Sequence, residues 1–185
     1  MGLSRFLRDS TGGVIAASTG EEATRDATAF VALVEPLLPA AYQLAVGMLR
    51  SKEDAEDAVQ EATYKAWRHF GRFRSGADMR PWLLTIVANE CRRQRRSRWW
   101  SVIRSADDLR NAAAEQNVDG RSSDLRRALY RLPEDQRLVL VLRYYLDLSF
   151  EEVAVVLKTT TKAAKSRTYR ALERLRLSPE VLANE

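Results

Sequence analysis

The stretch 148–176, "LSFEEVAVVLKTTTKAAKSRTYRALERLR", changes character halfway along its length. Its first part is apolar at helical spacing and predicts a short, buried helix from Phe150 to Leu157. A three-residue polar turn follows, and then a longer basic helix from Thr161 to Arg176. These lengths are typical of a helix-turn-helix, in which the second helix lies in the major groove of DNA. A helical hairpin with an exposed charged face is the alternative for this stretch alone.

Helical spacing divides the same stretch into two faces. Thr160 or Thr161 can cap the second helix, which leaves free amide groups available to a phosphate. The predicted inward positions are Val153, Ala154, Leu157, Ala164, Thr168, Ala171, Leu172 and Leu175. The outward positions near the helix start, where base edges are usually reached, are Lys162, Lys165, Ser166, Arg167 and Arg170.

The remainder of the chain shows the same helical spacing. Only 8 glycines and 5 prolines occur in 185 residues, so we predict an all-α fold. An apolar stripe from Phe30 to Leu49, interrupted by Pro36 and Pro39, predicts one kinked helix or two shorter ones. Ser51 and Asp54 form a capping-box signature at the start of the next helix. One face of that helix is apolar, and the opposite face carries Asp54, Asp57, Gln60 and Glu61.

A basic run lies between Arg80 and Trp100, where six arginines accompany a single acid, Glu90. Crowded guanidinium groups lose their mutual repulsion when they meet phosphates, Asn89 can read base edges, and tryptophan can stack on an unpaired base. The pattern therefore favours nucleic-acid binding over a merely solvated face. Trp82, beside two leucines, is equally compatible with a place in the core.

A polar segment separates this run from the helix-turn-helix and predicts a linker, with turn residues in "NVDGRSS". We therefore predict two small helical domains joined by a flexible linker. The predicted division is a loosely ordered extension 1–24, a first domain 25–100, a linker 101–123, a second domain 124–177 and a tail 178–185.

Composition argues against several classes of protein. The net charge is +5 and 45% of residues are hydrophobic, which suits a basic, soluble protein with real cores. No apolar run reaches the roughly 18 residues of a membrane span, and the start lacks the apolar core of a secretory signal, so we expect a cytoplasmic protein without membrane insertion. The single cysteine, Cys91, cannot form an internal disulfide, and with the single histidine, His69, it cannot supply a zinc site.

Catalysis has little support in the sequence. A nucleophilic pair of Cys91 and His69 is a weaker interpretation than a small apolar residue on a helix. No histidine or third ligand group accompanies the acidic face at 54–61, which suits a basic protein partner better than a metal. We expect no metal, no cofactor and no enzymatic activity.

Three segments, in this order and spacing, resemble the extracytoplasmic-function group of bacterial sigma factors over about Ala29 to Arg176. The segment "DAEDAVQEATYKAW" is similar to the family's contact with the β′ clamp helices of RNA polymerase. "RFRSGADMRPWLLTIVANECRRQRR" resembles the parts that melt and read the −10 element. "LRRALYRLPEDQRLVLVLRYYLDLSFEEVAVVL" with "KSRTYRALERLR" is similar to region 4, which binds the −35 element.

The resemblance implies a role for each cluster of residues. Core RNA polymerase, through its β′ clamp helices and β subunit, would contact Asp54, Asp57, Gln60 and Glu61. The −10 element would meet Arg74, Ser75, Trp82, Asn89, Arg92, Arg93 and Arg96, with the loop Arg72 to Met79 around a flipped base. The −35 element would meet Lys162, Lys165, Ser166, Arg167 and Arg170.

The same resemblance implies a sigma factor that starts transcription at promoter DNA, and a partner anti-sigma factor that masks its polymerase-facing surfaces. The alternative is a helix-turn-helix regulator that binds DNA without polymerase. The turn differs from the family at Lys158, where glycine is common. Because glycine accepts positive φ, Lys158 predicts an altered turn or a strained backbone.

Overall fold

A computed structural model describes the backbone of residues 17–49, 51–73, 77–104 and 120–177, and over these residues all regular structure is helical. This confirms the predicted all-α class. Most of the predicted linker, the tail and residues 1–16 lie outside the described residues. The helices are α1 (Ala17–Val34), α2 (Leu38–Met48), α3 (Lys52–His69), α4 (Met79–Arg104), α5 (Gly120–Arg131), α6 (Glu134–Leu140), α7 (Phe150–Val156) and α8 (Thr161–Arg176).

The two prolines divide the first apolar stripe into two helices. A 3₁₀ turn, Glu35–Leu37, separates α1 from α2. The segment Asp26–Met48 has a mean hydropathy of 1.6 and is, by length and composition, apolar enough to cross a membrane, so the prediction that no apolar run reaches this length is not confirmed. Its apolar side chains Phe30, Val34 and Leu44 instead lie fully buried in the protein core. These side chains anchor the segment to the core, although only 28% of its most apolar stretch is buried.

Helix α3 begins as its sequence predicted. The side chain of Ser51 accepts a hydrogen bond from the backbone N–H of Asp54 at 3.2 Å. Small side chains on one face allow α2 and α4 to pack closely against it, since little volume separates the helix backbones. These buried residues are Ala55, Ala58, Ala62 and Ala66.

The two predicted domains share one apolar core. Leu138, Leu142 and Leu148 from the second half pack in the same cluster as the buried side chains of α1 to α4. Gly47 on α2 packs against Val141, in the π-helical turn Val141–Tyr145 that continues α6. A Cβ atom on residue 47 would lie only 2.9 Å from Cγ2 of Val141, so a larger residue here would force the valine side chain or the helices to shift.

Polar contacts reinforce the packing between the halves. Tyr130 Oη lies 2.8 Å from the carbonyl oxygens of both Val46 and Leu49 at the end of α2. Val46 lies in the last turn of α2 and Leu49 is its C-cap, and the one hydroxyl proton of Tyr130 can be donated to either of these carbonyl oxygens. Arg80, at the start of α4, donates to the carbonyl oxygen of Leu146 at 2.6 Å. Side chains of each half therefore satisfy backbone groups of the other.

The helix-turn-helix forms with the predicted cap on α8 and a second cap on α7. Ser149 and Glu152 make a reciprocal capping box at the start of α7, with distances of 2.7 and 3.1 Å. Thr160, rather than Thr161, caps α8 by accepting from the backbone N–H of Ala163. Both helices therefore start at positions fixed by short-range chemistry.

The turn between α7 and α8 places Lys158 at φ 50°, in the left-handed region. The N–H of Lys158 bonds to the carbonyl of Val155 and the N–H of Thr159 bonds to that of Ala154, which together form a Schellman motif. Glycine is favoured at this position because a Cβ clashes with the backbone in the left-handed conformation. Of the two sequence predictions for this turn, the structure supports backbone strain at Lys158.

Replacing Lys158 by glycine should relieve that strain. We expect the Lys158→Gly variant to gain about 1 kcal/mol in free energy of unfolding, seen as a higher midpoint in thermal denaturation followed by circular dichroism. Lys165→Gly, the same change inside α8, serves as control and should lose about 1 kcal/mol. Equal destabilisation by both variants would contradict a strained turn.

Candidate nucleic-acid interface

The outward face of α8 is exposed as predicted. Lys162, Lys165, Ser166, Arg167 and Arg170 all lie on the surface, whereas Ala164, Thr168 and Ala171 are buried. Thr168 is polar, yet its hydroxyl donates to the carbonyl oxygen of Ala164 at 2.9 Å, so burial leaves no unsatisfied donor. The helix therefore presents a row of basic side chains from its first turns onward.

A second basic face lies on α4. Asn89, Arg93 and Arg96 are exposed along this helix. Trp82 is half-buried: it packs against the core, and its ring centroid is 5.1 Å from that of Phe73. Trp82 therefore belongs partly to the core, as one of its two interpretations predicted. Arg74 and Ser75 lie outside the described residues, as do the side chains of Arg98, Trp99 and Trp100.

Two arginines of α4 are engaged by acids at the start of α6. Arg92 lies 2.8 Å from Oδ1 of Asp135 and 3.4 Å from Oε1 of Glu134. Arg95 lies 3.4 Å from the other carboxylate oxygen of Glu134. The first turn of α6 also favours negative charge through the helix dipole. In this arrangement carboxylates of the second half occupy donors that the sequence assigned to nucleic acid.

The acidic face of α3 is open to solvent to different degrees. Asp57 and Gln60 are exposed, and Asp54 and Glu61 are half-exposed. Glu61 pairs with Lys65 one turn further along, at 3.3 Å. The four predicted polymerase-contacting residues therefore lie together on one side of one helix.

Sequence reasoning missed a charged network beneath these faces. The carboxylate of Glu90 on α4 is buried, and it accepts from Nζ of Lys65 at 2.6 Å and from Nε of Arg93 at 2.7 Å. Burial opposes its charged form, but the hydrogen bonds from Lys65 and Arg93 outweigh burial and hold the pKa of Glu90 below its usual value. The sequence feature that could have indicated this network is the position of Glu90 as the one acid in the arginine run.

Cys91 behaves as a core residue. It is fully buried, and burial raises the pKa of its thiol to about 12. A thiol of that kind is a poor nucleophile at neutral pH. His69 is exposed, with Nδ1 2.8 Å from the carbonyl oxygen of Lys65. Among the residues that the structure describes, no group of three His, Cys, Asp or Glu side chains could hold a metal ion.

Comparisons with known proteins match both halves. The family model of sigma-70 region 2 matches residues 33–101, and that of sigma-70 region 4 matches residues 122–175. The RNA polymerase sigma factor SigV of Bacillus subtilis is 29% identical over 142 residues, which cover 74% of this chain and 82% of that protein. The ECF RNA polymerase sigma-E factor of Escherichia coli is 31% identical over 156 residues, covering 74% and 82%.

A solved structure is similar over most of its length. The sigma factor RpoE from Bartonella quintana, in complex with the anti-sigma factor NepR, superposes with a TM-score of 0.67 at 30% identity. The match covers 81% of this chain and 94% of that chain.

The acids on α6 should compete with nucleic acid for α4. We expect the double variant Glu134→Gln, Asp135→Asn of the full chain to bind a single-stranded oligonucleotide about tenfold more tightly, since removal of three partly exposed ion pairs releases arginine donors. Fluorescence anisotropy measures this affinity. A matched control, Glu35→Gln with Glu151→Gln, removes the same charge at exposed positions outside the two basic helices. Equal gains in the two double variants would contradict specific competition.

Proposed function

The chain belongs to the extracytoplasmic-function group of the sigma-70 family, and from this premise we propose that α4 and α8 are its two promoter-reading elements. As a member of this family it is an alternative sigma factor that directs core RNA polymerase to promoter DNA. One observation carries the assignment of sites: two separate exposed basic faces, on α4 and α8, accompany an acidic face on α3 in the same chain.

The −10 element is assigned to α4 and the loop before it. Arg93 and Arg96 contact the backbone of the DNA, and Asn89 reads base edges. Arg74 and Ser75 contribute from the loop, and Trp82 contributes from the first turn of α4, which follows the loop. Arg92 joins this surface only after it exchanges Glu134 and Asp135 for phosphate oxygens, because carboxylates and phosphates compete for the same guanidinium donors. Region 4 therefore leaves α4 when the promoter binds.

The −35 element is assigned to α8. A helix with its first turns exposed and basic can enter the major groove while its inward face stays packed on α7. Lys162 and Lys165 supply charge for phosphates, and Arg167 is placed where a guanidinium can pair with guanine. Ser166 and Arg170 complete the surface. The exposure of all five side chains supports this assignment.

The acidic face on α3 is assigned to polymerase. Asp54, Asp57, Gln60 and Glu61 present carboxylates and an amide to the β′ clamp helices, and the β subunit is the other part of core polymerase that we expect to be contacted. Electrostatic complementarity of this kind fixes partner and orientation more than it adds affinity. The protein supplies specificity, has no catalytic activity of its own and acts in the cytoplasm.

The division of the chain follows the same logic. We assign residues 25–100 to region 2, 101–123 to the linker and 124–177 to region 4, with an extension 1–24 and a tail 178–185. The separation of region 4 from α4 requires a linker that allows the two halves to part. An anti-sigma factor is a further expected partner, since a similar sigma factor was solved with one.

Reconstituted transcription tests the function. Sequencing of transcripts after overproduction identifies a cognate promoter, and a run-off assay then combines that template with core polymerase. We expect specific transcripts only when both core polymerase and this protein are present. Tight duplex binding by the protein alone, without any complex with core polymerase, would contradict the proposal and favour a stand-alone regulator.

Arg167 provides a test of the −35 surface. We expect Arg167→Ala to lower run-off transcription from a −35-dependent promoter about tenfold, the loss typical of one base-reading arginine. Arg174→Ala is the matched control, because Arg174 is exposed on the same helix but lies two turns beyond Arg167 and one turn beyond the last predicted reading position, Arg170. Identical activity of the two variants would remove Arg167 from the interface.

A further inference from the structure

We propose that Glu90 is a positioning residue for promoter binding, which holds the guanidinium of Arg93 in the orientation that the −10 DNA requires. The inference rests on the proposed function of α4. Glu90 itself contacts no DNA in this account, because its carboxylate is buried beneath the basic face.

The geometry around Glu90 is that of a fixed acceptor. One carboxylate oxygen, Oε1, lies 2.6 Å from Nζ of Lys65, and the other, Oε2, lies 2.7 Å from Nε of Arg93. A buried carboxylate is tolerated only when its charge is compensated, and here each oxygen has its own cation. Lys65 belongs to α3, so the carboxylate is held from the neighbouring helix as well as from its own.

The bond leaves Arg93 able to bind a second acceptor. It uses the Nε–H, one of the five N–H donors of a guanidinium, and 53% of the Arg93 side chain stays exposed. An unrestrained arginine on a surface samples many rotamers and must lose that freedom on binding. Because Glu90 fixes the plane of the guanidinium in the free protein, Arg93 loses less side-chain conformational entropy when DNA binds.

The direction of the change in DNA affinity distinguishes a positioning role of Glu90 from a purely electrostatic one. Glu90 is an acid close to a surface that binds an anion, so removal of its charge should by itself strengthen DNA binding. Loss of a positioning contact should weaken it instead. The two explanations therefore predict changes in opposite directions for the same substitution.

The experiment is a double-mutant cycle in the assembled holoenzyme. Glu90→Gln, Arg93→Ala and the combined variant are compared for affinity to a fork-junction fragment of the mapped cognate promoter. We expect Glu90→Gln to weaken binding about fivefold with Arg93 present and to cause no further loss in the Arg93→Ala background. Glu35→Gln is the matched control, since it removes an exposed acid from the same half of the chain. Affinity for core polymerase, measured in parallel, should not change.

Each other outcome overturns the proposal in a recognisable way. Tighter or unchanged binding by Glu90→Gln, or an equal loss in both backgrounds, would show that Glu90 does not position Arg93. The assignment of Arg93 to the −10 surface would remain. An unaffected Arg93→Ala variant removes Arg93 from the −10 surface and the role of Glu90 with it, while run-off transcription tests the sigma function independently.

A second variant covers the case in which Glu90→Gln does not fold. Arg93→Lys keeps the positive charge but has no Nε–H for Glu90 to hold, and we expect it to lose nearly as much affinity as Arg93→Ala. Wild-type affinity of Arg93→Lys would overturn the proposal.

Discussion

The contact between Gly47 and Val141 is the constraint on which the docked arrangement of this protein depends. A Cβ atom at position 47 would approach the valine side chain to 2.9 Å, so any larger residue would require α2 or the turn after α6 to shift. Around this contact, Leu138 and Leu142 join the core of the first half. Apolar packing of this kind is favourable without regard to direction, while the hydrogen bonds of Tyr130 and Arg80 with backbone carbonyls fix the orientation of the two halves.

Once the halves are docked, the charges on α4 have protein partners. Partly exposed ion pairs are each worth no more than about 1 kcal/mol, so the pairs of Arg92 and Arg95 with α6 contribute specificity more than strength. Such pairs are exchanged readily for phosphates when many cations act together on DNA. The same arginines can therefore serve a docked state and a promoter-bound state. Arg93 differs, because its acid lies beneath it on the same helix and does not depart with region 4.

Short-range patterns predicted most of the fold and the exposed part of the site. The caps at Ser51 and Thr160, and the spacing that exposes α8, each depend on residues within one or two turns. The contact of Gly47 with Val141 joins residues far apart in sequence, and no helical period encodes it. The pairing of Lys65 with Glu90 escaped prediction for the same reason. Two domains joined by a flexible linker were therefore predicted. The apolar core that the two halves share could not be predicted from the sequence alone.

We propose that region 4 packs on region 2 in the free protein and separates from it in the holoenzyme. The distance between spin labels attached at Gln43→Cys and Glu173→Cys, one in each half, can be measured by pulsed electron paramagnetic resonance. The buried thiol of Cys91 should resist labelling, since its pKa is raised to about 12. We expect one short, narrow distance distribution in the free protein and a clearly longer distance after core polymerase and promoter DNA are added. The same short distance in the promoter complex would contradict the account.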